Sequence, residues 1–172
     1  MLASSWVEEV DVRRVLPSSV DIRLRERRAI GIGRLAGSLY LVDATGVVID
    51  EYGPQYSELD LPIVDGLAAS PAEGAGAVDA ARARLAGRLI AALDLRPDLA
   101  DRVSLIDVSD AHDAVVMLEG ETIKLRLGED AFADRIQEYL DLAPALRERV
   151  ADIDYVDLRF DERLYVRPVR KR

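Results

Sequence analysis

The sequence contains no cysteine, a single histidine (His112) and only two lysines, Lys124 and Lys171. Without cysteine the chain has no thiol nucleophile, no disulfide and no Cys/His zinc site, so any enzyme chemistry would depend on carboxylates, hydroxyls or arginine. No segment approaches the roughly 20 apolar residues of a transmembrane helix. The first six residues also lack the basic and apolar regions of a signal peptide.

Basic charge is also scarce, because 32 acidic residues stand against 23 Lys and Arg and give a formal net charge of −9. This balance argues against a general nucleic-acid binder, which needs clustered basic charge to neutralise phosphates. Hydrophobic residues make up 49% of the 172 residues, which excludes a disordered or fibrous chain. A chain of this length predicts one ordinary domain or two small ones.

Alternating apolar and polar residues predict strands in the first third of the chain. Two such runs lie within residues 7–27, around a turn at Pro17, and two shorter ones at 39–42 and 47–49 flank Gly46. Together they predict a small antiparallel meander. Residues 52–64 are predicted as an irregular connection, and residues 66–77, rich in Ala, Gly, Ser and Pro, as a linker.

The rest of the chain predicts a second sheet with two helices. A helix is expected at about 78–95, where apolar residues recur every three or four positions and Pro97 follows. A second is expected at about 130–142, with Asp130 in its first turn. The predicted strands are 103–108, 114–118, 122–127, 153–160 and 164–166. The predicted fold class is therefore α+β: a β-rich lobe, a linker, and a mainly antiparallel β domain with two helices.

Several motifs admit a functional interpretation, but a structural one is favoured for each. The segment 31–37 superficially matches a dinucleotide loop, yet its spacing is one residue too long and a strand follows instead of a helix, so a flexible connection is predicted. Glu119 and Glu121 are expected to be solvated hairpin residues and not an acid/base pair. Ser4, Ser5, Ser18 and Ser19 have no adjacent histidine to build a hydrolase triad.

Two charged groups could bind ions or surfaces. A metal cluster can be drawn from Asp107, Asp110, His112 and Asp113, but residues 110–113 lie between two predicted strands, where Asp is a good turn former. The basic end of the chain could contact an anionic surface, although a solvated terminus is the favoured interpretation. Its residues are Arg167, Arg170, Lys171 and Arg172.

Two sets of segments resemble a known family. The first set is residues 6–17, 20–27 and 40–46, with a strand, a Pro turn, a strand ending in Glu-Arg, and an aromatic strand ending in Asp. The second is Tyr-Val-Asp-Leu-Arg-Phe at 155–160, followed by Leu-Tyr-Val at 164–166. This arrangement resembles the extracytoplasmic part of the bacterial cell-division family FtsQ, also called DivIB, over nearly the whole chain.

The resemblance implies two domains. Residues 1–66 would form an incomplete POTRA-like domain without its first strand and helix, and residues 67–172 an FtsQ-type β domain that ends in an edge strand. The chain is then expected to be an N-terminally shortened member, whose first lobe is less stable and leaves Val12 and Ile22 under-buried. The full-length protein would be anchored by one membrane span on the extracytoplasmic (periplasmic) side of the inner membrane, at the division septum.

The implied function is a non-catalytic divisome scaffold, with no cofactor, metal, nucleic acid or small-molecule substrate. It would bind FtsB-like and FtsL-like partners and, through them, help recruit or regulate septal peptidoglycan synthesis. The family's last strand accepts a partner strand, and here the alternation places Leu164 and Val166 inward, with Arg163, Tyr165 and Arg167 outward. On the preceding strand, Val156, Leu158 and Phe160 are expected to share one face.

The predicted partner-binding residues are Tyr155, Arg159, Phe160, Glu162, Arg163, Leu164, Tyr165, Val166 and Arg167. Two alternatives stay open at this edge, because outward arginines also protect edges and a one-residue slip would present Leu164 instead of Tyr165. The runner-up function is a POTRA-type periplasmic module that binds substrate strands in an outer-membrane assembly or secretion system. A carboxylate-based hydrolase is a third possibility.

Overall fold

The computed structural model describes residues 4–69, 77–150, 152–160 and 163–169. Within them the chain forms eleven strands and three α-helices, with a short 3-10 turn at Pro54–Tyr56. The strands are β1 (Val7–Val15), β2 (Ser19–Glu26), β3 (Gly31–Leu35), β4 (Ser38–Val42), β5 (Val48–Glu51), β6 (Ile63–Asp65), β7 (Val103–Asp110), β8 (Asp113–Leu118), β9 (Lys124–Gly128), β10 (Ile153–Phe160) and β11 (Arg163–Pro168). The helices are α1 (Ala80–Asp94), α2 (Pro97–Ala100) and α3 (Phe132–Arg149).

These strands form two sheets in the described part of the chain. β1 and β2 pair only with each other, and the other nine form one sheet in the order β11-β10-β9-β8-β7-β6-β3-β4-β5. The pairs β3–β6, β6–β7 and β9–β10 are parallel and the rest are antiparallel. The predicted α+β class with mainly antiparallel pairing is therefore confirmed, although the predicted single meander is wrong because it divides between the two sheets.

The helices cover one face of the large sheet. Leu85 and Leu89 of α1 and Ile136 of α3 are fully buried against strand residues such as Ile106 and Val116. α1 begins at an N-cap, Asp79, whose carboxylate accepts hydrogen bonds from the backbone N–H groups of the first turn. The predicted helix at 78–95 is confirmed within two residues at each end.

α3 differs from its prediction at both ends. It begins at Phe132 and not at residue 130, and it continues through Pro144 to Arg149. Asp130 lies before the helix and pairs with Arg135 at 2.9 Å. Pro144 removes one backbone hydrogen bond, but burial of the adjacent Ala143 keeps the second half of α3 on the core.

Two segments predicted as connections are strands. Gly31–Leu35 is β3, which is buried at four of its five positions, and Ile63–Asp65 is β6, which lies between β3 and β7. Glycine permits this close packing, because a Cβ at position 31 would lie 2.5 Å from a methyl group of Val64. The flexible connection predicted at 31–37 and the irregular one at 52–64 are therefore wrong in these parts.

The large sheet crosses the predicted domain boundary at residue 66. β6, which precedes that residue, pairs with β7, which follows it, in a parallel register of Val64 with Ile106. The hydrophobic core likewise includes residues from both sides of the boundary, such as Leu35 and Val156. The division into residues 1–66 and 67–172 stays a prediction.

The β1–β2 hairpin has one uncovered apolar face. Val12 and Ile22 pair across it and are 60% and 63% exposed, so their expected under-burial is confirmed. The hairpin is joined to the large sheet by a partly buried ion pair of 2.6 Å between Arg27 and Asp43. Burial by itself would raise the pKa of Asp43, but hydrogen bonds from Arg27, Thr45 and Val47 outweigh it and hold that pKa below its ordinary value.

We expect Val12→Thr to change the free energy of unfolding by less than about 0.5 kcal/mol, because more than half of the side chain is already in water. The matched change Val116→Thr puts a hydroxyl at a fully buried strand position and should cost about 1–3 kcal/mol. Urea denaturation of both variants measures the difference. Equal losses in the two variants would mean that the hairpin face is buried in solution.

Candidate functional site

β11 is an edge of the large sheet and alternates in burial. Arg163, Tyr165 and Arg167 are exposed, whereas Leu164 and Val166 are half-buried and pack against the hydrophobic core. The inward and outward sets predicted for this strand are therefore confirmed. Only one side of β11 is paired with a described strand, so its other side presents backbone groups that a further strand can bind.

The register of β11 fixes which side chains face outward. Tyr165 lies opposite Asp157 of β10, and Val166 lies opposite Val156. Tyr165 is 52% exposed, so the one-residue slip that would present Leu164 in its place does not occur. Residues 161–162, which include the predicted site residue Glu162, lie outside the described residues.

Two aromatic rings meet at the end of this edge. The rings of Phe160 and Tyr165 pack edge to face with their centroids 5.1 Å apart. Phe160 is 49% exposed and pairs with Arg163, which is on the same face as Tyr165, so the prediction that Phe160 shares one face with Val156 and Leu158 is wrong. The physical reason is a register irregularity between Asp157 and Phe160, which ends the regular alternation before the strand does.

Tyr155 is held between two arginines on the sheet face opposite the helices. The guanidinium carbons of Arg126 and Arg167 lie 5.8 Å and 5.6 Å from the centre of its ring, within the range of cation–π attraction. Arg167 is on β11 and Arg126 on β9, so the ring joins the edge strand to the interior of the sheet. Through Arg167, Tyr155 and Arg126, the outward side chains of β11 are connected to the interior of the sheet.

A buried carboxylate fixes the strands behind the edge. Asp113 of β8 is 3% exposed and accepts hydrogen bonds from the Arg126 side chain at 2.7 Å and from the Gly128 backbone N–H at 3.0 Å. The Arg159 guanidinium of β10 lies 3.4 Å from the same carboxylate. Asp113 thus connects β8, β9 and β10.

Asp157 holds Arg159 in place. Its two carboxylate oxygens accept hydrogen bonds of 2.8 Å and 2.6 Å from the Arg159 side chain. Burial by itself would raise the pKa of Asp157, but the hydrogen bonds from Arg159 outweigh it and hold that pKa below its ordinary value. In turn, the hydrogen bonds to Asp157 raise the pKa of Arg159, so both groups are charged at neutral pH.

This pair makes stability depend on pH in the acid range. Because the folded pKa of Asp157 is lowered, its contribution is complete above the unfolded value of about 3.9 and is lost as the pH falls through the folded pKa. The melting temperature of the wild type should therefore exceed that of Asp157→Asn most above pH 4, and the gap should narrow at lower pH. A difference in melting temperature that stays constant with pH would contradict the lowered pKa of Asp157.

The predicted site residues come together only in part. Tyr155, Arg159 and the described residues of β11 lie on two neighbouring strands, but Arg159 is engaged by Asp157 and Asp113 and does not face the open side of β11. The sequence-based prediction missed Arg126 and placed Asp113 in a turn, whereas Asp113 begins β8 and pairs with Arg126. Their pairing joins two strands, and the only signal for it was the opposite charge of two residues thirteen positions apart.

Asp110 and Glu121, from two of the motifs that were set aside, have structural roles in the fold. Asp110 accepts a hydrogen bond from the His112 backbone N–H in the β7–β8 turn. No group of three or more His, Cys, Asp or Glu among the described residues could hold a metal ion. Glu121, expected to be solvated, instead binds the Tyr139 hydroxyl and Arg147 at 2.6 Å each. Burial, together with Glu121, raises the pKa of Tyr139 to about 12.

The opposite edge of the sheet is less open. The Ser5 hydroxyl donates a hydrogen bond to the carbonyl of Ile49 in β5, and Arg27 next to it donates to the Ser5 carbonyl at 3.0 Å. The segment that precedes β1 therefore lies against β5. Of the two edges in the described part of the sheet, β11 is the one without such a contact, and the structure is that of an α+β sheet protein with one uncovered edge strand.

Comparison with known proteins identifies the family. A family model described as cell division protein FtsQ/DivIB, C-terminal, matches residues 33–159. Cell division protein FtsQ of Koribacter versatilis is 26% identical over 166 residues, which cover 95% of this chain and 47% of that protein. The FtsQ of Geotalea daltonii is 26% identical, over 95% of this chain and 59% of that protein. The FtsQ of Caulobacter vibrioides (strain NA1000 / CB15N) is 30% identical, over 95% of this chain and 49% of that protein.

The chain belongs to the FtsQ/DivIB family of cell division proteins. It spans about half the length of the curated relatives it matches. None of the helices in the described residues is both long and apolar enough to cross a membrane. The match to the family model ends at residue 159, before β11 begins at Arg163.

Proposed function

We propose that this chain is a non-catalytic scaffold of the bacterial division machinery, which binds FtsB-like and FtsL-like partners by adding a partner strand to β11. Through these partners it would help recruit or regulate septal peptidoglycan synthesis at the extracytoplasmic side of the inner membrane. The observation that carries the proposal is the uncovered edge of β11, with a half-exposed aromatic pair and two exposed arginines.

The side chains of the edge define the chemistry of the partner. Backbone hydrogen bonds to β11 supply affinity for any extended segment, whereas specificity comes from the side chains on its two faces. Arg163 and Arg167 are exposed at the two ends of the outward set and favour acidic residues in the added strand. The half-exposed rings of Phe160 and Tyr165 offer apolar surface to the partner, and aromatic residues of this kind often anchor an interface.

A binding titration tests the proposal. The probe is a synthetic peptide that covers the region after the coiled coil of the FtsB-like protein from the same organism, titrated against the whole chain. Tyr165→Asp should weaken binding by about 30-fold or more, because it removes a central aromatic group and adds a charge that repels an acidic partner. Deletion of residues 163–172 should abolish binding, with the remaining fold followed by circular dichroism.

Leu95→Asp is the matched control, since Leu95 is 82% exposed after α1 and the change adds the same charge away from β11. It should leave the affinity within twofold of the wild type. Binding that survives the deletion would place the partner elsewhere and contradict strand addition. A folded chain that binds no partner peptide would contradict the scaffold function proposed for this part of the protein.

A further inference from the structure

A second surface lies far along the sheet from β11. A cleft of about 640 Å³ opens where the parallel strands β3, β6 and β7 begin. Because β6 has only three residues, the segments on both sides extend past its start and form the walls of the cleft. One wall consists of residues 28–32 and 59–63, and the other includes the end of α1 and the start of β7.

The floor of the cleft is apolar. Ile90 and Leu93 from α1 and Val103 from β7 are at least nine-tenths buried, and Ile30 from the opposite wall packs against the same core. Leu59, at the mouth, is 40% exposed. A volume of this size falls in the range of pockets that accept a compact ligand or a few side chains of a peptide.

The rim of the cleft is acidic. Four carboxylates line it, those of Asp60, Asp94, Asp101 and Glu119, against the single guanidinium of Arg28. Arg28 pairs with Asp94 at 3.2 Å, and the other three carboxylates form no ion pair with any residue that the structure describes. An apolar floor with unpaired carboxylates around it attracts a cation with an apolar body and repels anionic ligands.

We propose that this cleft binds a basic, amphipathic peptide segment of a partner protein. The apolar side chains of the segment enter between α1 and residues 59–63, and its Lys or Arg side chains pair with Asp60, Asp101 and Glu119. This occupant differs in charge from the acidic strand that β11 favours. The chain would therefore contact partners at two separate surfaces with opposite electrostatic preferences.

Fluorescence anisotropy tests the proposal with the whole chain. The probe is a fluorescein-labelled octapeptide of alternating lysine and leucine, and its matched control is the same peptide with glutamate in place of lysine. The rim variant neutralises the three unpaired carboxylates: Asp60→Asn, Asp101→Asn and Glu119→Gln. A control variant removes the same charge from three exposed carboxylates elsewhere: Glu138→Gln, Glu148→Gln and Asp154→Asn.

We expect the lysine peptide to bind and the glutamate peptide not to bind. The rim variant should weaken binding about tenfold, while the control variant changes it by less than twofold, since only the rim carboxylates contact the peptide. Methyl resonances of Ile63, Leu93 and Val103 should shift in the NMR spectrum when the lysine peptide is added. Tyr165→Asp should bind this peptide as the wild type does, which separates the result from the function proposed for β11.

Equal weakening in the two triple variants would overturn the proposal, because it would show diffuse attraction to a chain with a net charge of −9. Equal binding of the glutamate peptide would overturn the role of charge. Methyl shifts confined to residues outside the cleft would overturn the location.

Discussion

Gly66→Ala is expected to destabilise the protein by about 2–4 kcal/mol. Gly66 follows β6, a short interior strand of the large sheet, and has a φ of +81°. A Cβ at this position would lie 2.3 Å from the backbone nitrogen of Ser109 in β7. The substitution therefore adds left-handed backbone strain to a clash with a strand that cannot move without breaking its own pairing.

Gly37→Ala separates the two causes. Gly37 has a similar φ of +88°, but no atom lies within 4 Å of the position that its Cβ would occupy. Its substitution should cost only the left-handed strain, about 1 kcal/mol. Urea denaturation of both variants gives the comparison, and equal losses would contradict the close contact between the end of β6 and β7.

Asp113→Ala is expected to lower the free energy of unfolding by about 2–4 kcal/mol, toward the low end of the cost of breaking a buried charge pair. The substitution leaves Arg126, Arg159 and the Gly128 N–H without their shared acceptor. The two guanidinium groups are each about one-third exposed, so water offsets part of the loss. Because Arg126 also contacts the Tyr155 ring, the contacts that connect β11 to the sheet through Tyr155 should weaken as well.

Asp154→Ala, at an exposed position of β10, is the control and should change stability by less than about 0.5 kcal/mol. The stability loss of Asp113→Asn should fall between those of Asp113→Ala and Asp154→Ala, because its amide oxygen still accepts a hydrogen bond from the Gly128 N–H while the charge is lost. Thermal denaturation measures all three variants. If Asp113→Ala were as stable as Asp154→Ala, the carboxylate would not connect the strands as described.

The sequence predicts those elements whose signal is local. The period-two alternation in residues 7–27 and 153–168 correctly indicates strands, and helical spacing followed by Pro97 indicates α1. The outward position of Tyr165 follows from the same alternation. In each case one face of the element meets the core and the other meets water, so the pattern is visible in the chain itself.

The elements that were missed depend on distant contacts. β3 contains two glycines and is buried on both sides, so it carries no alternation, and β6 is too short to show a period. Both are strands because each supplies hydrogen bonds to the other, across thirty residues of chain. The half-exposed Phe160 likewise follows from a register irregularity between strands, which no single segment encodes.

Amide hydrogen exchange, followed by NMR on the whole chain with and without the FtsB-like peptide, tests strand addition at β11 most directly. We expect the peptide to slow exchange at residues 163–168, whose outer backbone groups gain partners, and to leave exchange in β5 and the β1–β2 hairpin unchanged. Protection that develops on β5 or the hairpin while β11 continues to exchange as in the free protein would contradict strand addition at β11.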